Sequence, residues 1–91
     1  MNVPLGHEVG PYRCPCCGYR TLDERGGFQI CPVCFWEDDG QDDHDAGEVR
    51  GGPNGPLTLT EARRNFARFG ASEERWRVKV REPRDSEHPL A

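Results

Sequence analysis

No segment of this 91-residue chain is apolar for long enough to cross a bilayer. Its first ten residues, Met1 to Gly10, also lack the basic flank and apolar core of an export leader. The expectation is a soluble, cytoplasmic protein. Apolar side chains are scarce: 34% of residues are hydrophobic and the mean hydropathy is -0.86. A domain of this size with so little to bury is marginal on a core alone, and such domains commonly add metals or disulfides. Bases are scarce in the first half, where residues 1–49 hold ten acids against three arginines, whereas residues 50–84 hold nine bases against four acids. The net charge of -4 argues against general nucleic-acid binding. The asymmetry is read first as attraction between the two halves and second as a basic face for an external polyanion.

Cysteine, by contrast, is well represented, and its placement is specific. All five cysteines fall in two CPxC turns, Cys14-Pro15-Cys16-Cys17 and Cys31-Pro32-Val33-Cys34, four of them at the motif's cysteine positions and Cys16 between. Two thiolates separated by a tight turn of two residues reach one ion, and two such turns supply a tetrahedral four-sulfur site suited to zinc or, alternatively, iron. The metal ligands are therefore Cys14, Cys17, Cys31 and Cys34. Gly18 permits a left-handed residue after the first turn. In the second turn Phe35 and Trp36 stand where glycine would be easiest, so that turn is expected to close differently and to lay an aromatic lid over the metal. Disulfides fit poorly with five cysteines and no leader, and a redox CxxC lacks the βαβ frame it needs. Structural zinc contributes on the order of 10–16 kcal/mol, so losing one ligand should unfold the metal half. Cys16 lies between ligands. It is either a small residue that fits the turn or an exposed, possible reactive thiol beside the cationic centre.

The remaining pattern suggests a loose N-terminal segment over 1–11, a metal-binding domain over 12–81 and a frayed polar tail over 82–91. Tyr12-Arg13-Cys14 reads as a strand entering the first knuckle. Tyr19 to Leu22 leaves it, and Phe28 to Ile30 returns after a turn over 23–27, as a hairpin would. Glu37 to Glu48 holds seven acids, one histidine and no base. It reads as a solvated loop or, more sharply, as a second, oxygen-rich metal site of Asp38, Asp39, Asp42, Asp43 and Asp45 with His44, although the spacing is not that of an EF-hand. Gly51 to Pro56 is a connector. Leu57 to Gly70 is the one clear helix: Thr58 and Glu61 form a capping box, Leu59, Ala62, Phe66 and Phe69 share a face, and Gly70 ends it. Phe66 and Phe69 are expected to pack on the aromatic lid. In Ser72 to Arg81, a brief turn is expected before an extended stretch in which Trp76, Val78 and Val80 alternate with bases.

Taken together, the two cysteine motifs, the Phe35-Trp36-Glu37-Asp38-Asp39 run and Asn65 to Gly70 resemble the small bacterial CPCC-type cysteine-rich family, over roughly residues 12–81. The first knuckle is also similar to that of rubredoxins, whose second knuckle ends in glycine where this one does not. The resemblance implies a metal-binding module without an assigned reaction. The fold expected is a small metal-stabilised α+β unit, a zinc-ribbon-like β-hairpin with two CPxC knuckles followed by one amphipathic helix. A closed four-thiolate site holds shape rather than activating water, so a structural or protein-interaction role is expected in place of an enzyme's. Its protein partner would meet Arg63, Arg64 and Arg68. The alternatives are a rubredoxin-like iron electron carrier and a nucleic-acid-binding zinc ribbon.

Overall fold

The two CPxC turns stand at the tips of two small hairpins. In the computed structural model, which describes residues 11–89, β1 (Tyr12–Arg13) runs antiparallel to β2 (Arg20–Leu22), with Tyr12 opposite Leu22, Arg13 opposite Arg20 and a bulge between. The first knuckle is therefore the hairpin's own turn. The expected pairing of Tyr19–Leu22 with Phe28–Ile30 gives way to this one, because the knuckle reverses the chain within a few residues and brings the entering strand back beside the leaving strand. Phe28 to Ile30 instead pairs across the second knuckle. Ile30 bridges Glu37, the Phe28 N–H donates to the Asp38 carbonyl at 2.9 Å, and the Asp38 N–H donates to the Gln29 carbonyl at 2.9 Å.

The acidic stretch is folded rather than solvated. Asp38 and Gln41 are fully buried and Asp45 nearly so. Carboxylates are buried at tolerable cost only when hydrogen-bonded or paired, and these are both. Asp38 accepts from the Gly26 N–H at 2.6 Å, the Gly40 N–H at 3.2 Å and Arg25 Nε at 3.0 Å. Arg25 also donates to Asp42 Oδ2 at 2.9 Å and to the Gln41 carbonyl at 3.1 Å, so one guanidinium clamps the loop. Asp42 and Asp45 cap a 3-10 turn over Asp43–Asp45, and Arg50 pairs with Asp45. A second 3-10 turn, Gly52–Asn54, brings Asn54 against the Glu37 backbone, where its amide donates to the carbonyl at 2.8 Å and accepts from the N–H at 3.3 Å.

Helix α1 (Leu59–Phe69) begins and ends as its sequence specifies. Thr58 and Glu61 form the reciprocal capping box, and Gly70 adopts φ 84°, left-handed, with its N–H on the Phe66 carbonyl. Leu59 and Ala62 are fully buried in a cluster with Leu22, Val33, Trp36 and the cysteines. The expected seating of Phe66 and Phe69 on an aromatic lid is replaced by another arrangement. Phe66 meets Tyr19 edge-on at 6.4 Å, Phe69 lies beneath Arg77, Trp36 is part of the core itself, and Phe35 packs on Trp76 at 4.6 Å.

Beyond Gly70 the chain returns to the second knuckle. The Ser72 N–H donates to the Cys34 carbonyl at 2.7 Å and the Arg81 N–H to the Pro32 carbonyl at 3.1 Å. Between them lies a 3-10 turn, Glu74–Trp76, and Val78 is 87% exposed, so the alternation read as a half-buried strand is not used that way. The extended stretch starts only after Lys79, because the need to place Trp76 on Phe35 is met by a tighter turn. Residues 82–89 are not frayed. A 3-10 turn, Asp85–Glu87, buries Glu87, which takes both nitrogens of Arg81 at 2.9 and 2.8 Å, while His88 stands edge-on to Tyr19 at 5.2 Å. The loose segment expected over 1–11 lies, but for Pro11, outside the described residues.

Arg81 holds the Glu87 carboxyl down to a pKa of about 2 from an ordinary 4.5. The clamp's contribution is thus complete above about 4.5 and fades as pH falls toward 2. Hydrogen bonds to charged groups are worth about 1.5–3 kcal/mol, so Glu87→Gln should open the tail at neutral pH by about tenfold or more. Faster trimming by carboxypeptidase is the expected readout, and unchanged trimming would show that the clamp does not hold the tail.

Candidate metal centre

Each knuckle is closed by the same pair of backbone hydrogen bonds. In the first, the Cys14 N–H donates to the Tyr19 carbonyl at 2.8 Å and the Gly18 N–H to the Cys14 carbonyl at 2.8 Å. In the second, the Cys31 N–H donates to the Trp36 carbonyl at 3.0 Å and the Phe35 N–H to the Cys31 carbonyl at 2.7 Å. Gly18 and Phe35 occupy equivalent positions and both are left-handed, at φ 83° and 68°. The second turn therefore does not close differently, contrary to the expectation from its missing glycine. Phe35 takes a conformation that costs an L-residue roughly 1–2 kcal/mol, and its ring contact with Trp76 helps to offset this.

Identical turns facing each other bring four sulfurs together. The Sγ atoms of Cys14, Cys17, Cys31 and Cys34 all lie within 4.8 Å of one another. Cys14 and Cys34 approach to 3.5 Å and Cys17 and Cys31 to 3.7 Å, each contact crossing from one knuckle to the other. Metal–thiolate bonds of about 2.3 Å in a tetrahedron require sulfur–sulfur edges of about 3.8 Å, so the two cross-knuckle contacts already have that length and any wider separations would close by about 1 Å at most around an ion. All five cysteines are free thiols, and Cys14, Cys31 and Cys34 are fully buried while Cys17 is half-buried.

The sulfurs differ in what surrounds them. Hydrogen bonds from Cys14, Cys17 and Cys34 push the Cys31 thiol toward its anion, and Thr21 Oγ1 adds a donor at 3.0 Å and the Val33 N–H another at 3.4 Å. Cys17 and Cys34 are pushed up, foremost by Cys14, because a crowded buried group of thiols resists a second negative charge. Binding a cation removes that resistance and releases protons.

The other residues singled out from the sequence fall into place as follows. Cys16 is only 8% exposed and sits in the apolar cluster, outside the four converging sulfurs. Of the two alternatives for Cys16, the exposed thiol gives way to a buried one, packed in the core close enough to Cys34 to hydrogen-bond with it. Arg63 reaches the centre from α1, its Nε donating to the Pro15 carbonyl at 2.8 Å and its Nη2 to Asp43 at 2.8 Å. Arg64 and Arg68 are exposed. Asp38, Asp39, Asp42, Asp43, Asp45 and His44 do not converge, and the four cysteines form the sole cluster of potential metal ligands among the described residues. Two supporting residues went unread in the sequence. Thr21 looked like any strand residue. Arg25 could have been flagged as the one base close to the acidic run within a base-poor half.

Replacing Cys34 or Cys17 by Ser should abolish stoichiometric metal binding and the folded dispersion of the amide spectrum, while Cys16→Ser should keep one ion per chain. In the loaded protein Cys16 should resist iodoacetamide, and chelation should expose all five thiols. Because each thiolate that leaves the ion takes up a proton, metal should be lost on acidification with proton uptake, measurable with a chromophoric chelator across a pH series.

A sequence model of the family described as Cysteine-rich CPCC matches residues 12–87. No curated protein and no solved structure matches the chain. The matched span contains both knuckles, α1 and the Glu87 clamp that closes over the first hairpin. The chain belongs to the cysteine-rich CPCC family.

Proposed function

We propose that the protein is a structural zinc module of the cytoplasm whose metal centre holds a surface in shape for a protein partner. The observation that carries this reading is the convergence of four mostly buried sulfurs within 4.8 Å. Four protein thiolates complete a tetrahedron and leave no position for water or substrate, which is the pattern of a structural rather than a hydrolytic ion. Cys14, Cys17, Cys31 and Cys34 would hold the ion, Thr21 would orient Cys31, and Arg63 would tie the first knuckle to α1. When bound, the ion supplies folding free energy and a fixed crossing of the two hairpins. Among the described residues no helix is long and apolar enough to cross a membrane, in keeping with this reading.

Iron in the same four sulfurs is the second reading, favoured by the half-buried Cys17, which offers an edge for electron exchange. Elemental analysis of untagged, anaerobically prepared protein together with its absorption spectrum separates the two. One zinc per chain and no visible bands is the expected result. One iron with visible thiolate bands would make electron transfer the function, and a well-folded protein without metal would sink both.

A further inference from the structure

The surface at the C-terminal end of α1 holds a groove of about 390 Å³ between the helix and the returning chain. Its lining is mixed: the apolar side chains of Phe66, Phe69, Val80 and Pro83 share it with Gly70, Arg77, Arg81 and Glu82. The charge around it is uneven: residues 63–84 hold eight bases against three acids in a chain whose net charge is -4. The acidic loop draws on only part of this excess, through Arg63. Arg81 is committed to Glu87 and Arg75 to Glu73. Arg77 reaches its nearest carboxylate, Glu74, only at 4.0 Å with both side chains largely exposed, and Arg68 and Lys79 have no carboxylate partner among the described residues. Val78, 87% exposed, is held out to solvent between Arg77 and Lys79.

We infer that this groove is the docking site for an acidic segment of a partner protein that carries an apolar or aromatic side chain. The inference rests on the module reading above and supplies its partner chemistry. Phe66, Phe69, Val80 and Pro83 would receive the apolar side chain, and Arg77 in the lining, with Arg68 and Lys79 next in the chain to Phe69 and Val80, would receive the flanking carboxylates. A nucleic acid fits less well. Phe66 is half-buried edge-on against Tyr19 and Phe69 lies beneath Arg77, so neither ring offers an open face on which a base could stack.

The test uses metal-loaded full-length protein and fluorescence anisotropy. The probes are heptapeptides of Asp and Glu with Phe, Leu or Trp at the centre, the same peptide with central Ala, and a single-stranded oligonucleotide of equal charge. At least one apolar-centred peptide should bind about tenfold or more tighter than the Ala peptide, the amount expected for burying one large side chain. Arg77→Glu and Lys79→Glu, at exposed positions, should each weaken that binding several-fold, with metal content and helicity showing that the variants are folded. Equal binding of the Ala peptide and the oligonucleotide, binding indifferent to both substitutions, or no binding at low salt would overturn the inference. The metal analysis above uses no peptide. Loss of the zinc reading and loss of the groove are therefore separate results.

Discussion

Four sulfurs meeting at one point constrain nearly everything else in this chain. The regular structure is slight: strands of two and three residues and a helix of eleven. A lone hairpin is marginal in water and so is a helix of this length, so neither stands without something to hold it. The knuckles provide that hold in both directions. Inward, their paired hydrogen bonds aim the sulfurs. Outward, the carbonyls of Pro32 and Cys34 accept from Arg81 and Ser72, so the segment after α1 is docked onto the metal-binding turn. The apolar cluster is likewise composed in large part of cysteines, with Trp36, Leu22, Leu59 and Ala62 filling the space around them. Core and metal centre are one object.

Electrostatics pose a problem that the fold solves locally. Four thiolates around a divalent ion would retain a double negative charge, and the acidic stretch packs beside the cysteines. Like charges brought together in a medium of reduced polarity repel strongly. Arg25 answers this by joining Asp38 and Asp42, and Arg50 by joining Asp45. Arg63 answers it by bonding the first knuckle's backbone with one nitrogen and Asp43 with another. The attraction between halves expected from the charge asymmetry is thus realised through Arg50 and Arg63, not by a general pairing of acids with bases.

What could be read in advance was what depends on short-range chemistry. The CPxC spacing identifies the sulfurs that converge, because two residues of turn leave few ways to place two thiols. The capping box at Thr58 and Glu61 and the left-handed Gly70 likewise depend only on near neighbours. What could not be read depends on distant partners. Leu22 pairs back to Tyr12 because the knuckle is tight, and no pattern within 19–30 encodes that choice. Asp38 looks like a surface acid until Arg25 and the Gly26 N–H arrive from another loop. Phe35 breaks the rule that a left-handed residue after a knuckle should be glycine, and Trp76, far along the chain, packs on its ring there. Glu87 sits in a polar tail by composition and is buried only because Arg81 reaches it with two nitrogens.

A closed centre moves the question of function to the surface. Filled by an ion, its four sulfurs would leave no place for a substrate, and the acidic loop turns carboxylates onto backbone N–H groups and arginines of the same chain. The helix face toward the first hairpin is filled by Leu59, Ala62 and Phe66. The C-terminal face is different in kind. There the segment from Glu73 to Lys79 is tied down mainly by Trp76, leaving cations and an apolar side chain turned outward. Such groups are costly to order and add nothing to the core. Their presentation by a chain whose two ends are anchored to the second knuckle at Cys34 and Pro32 ties the shape of this face to the cysteine cluster.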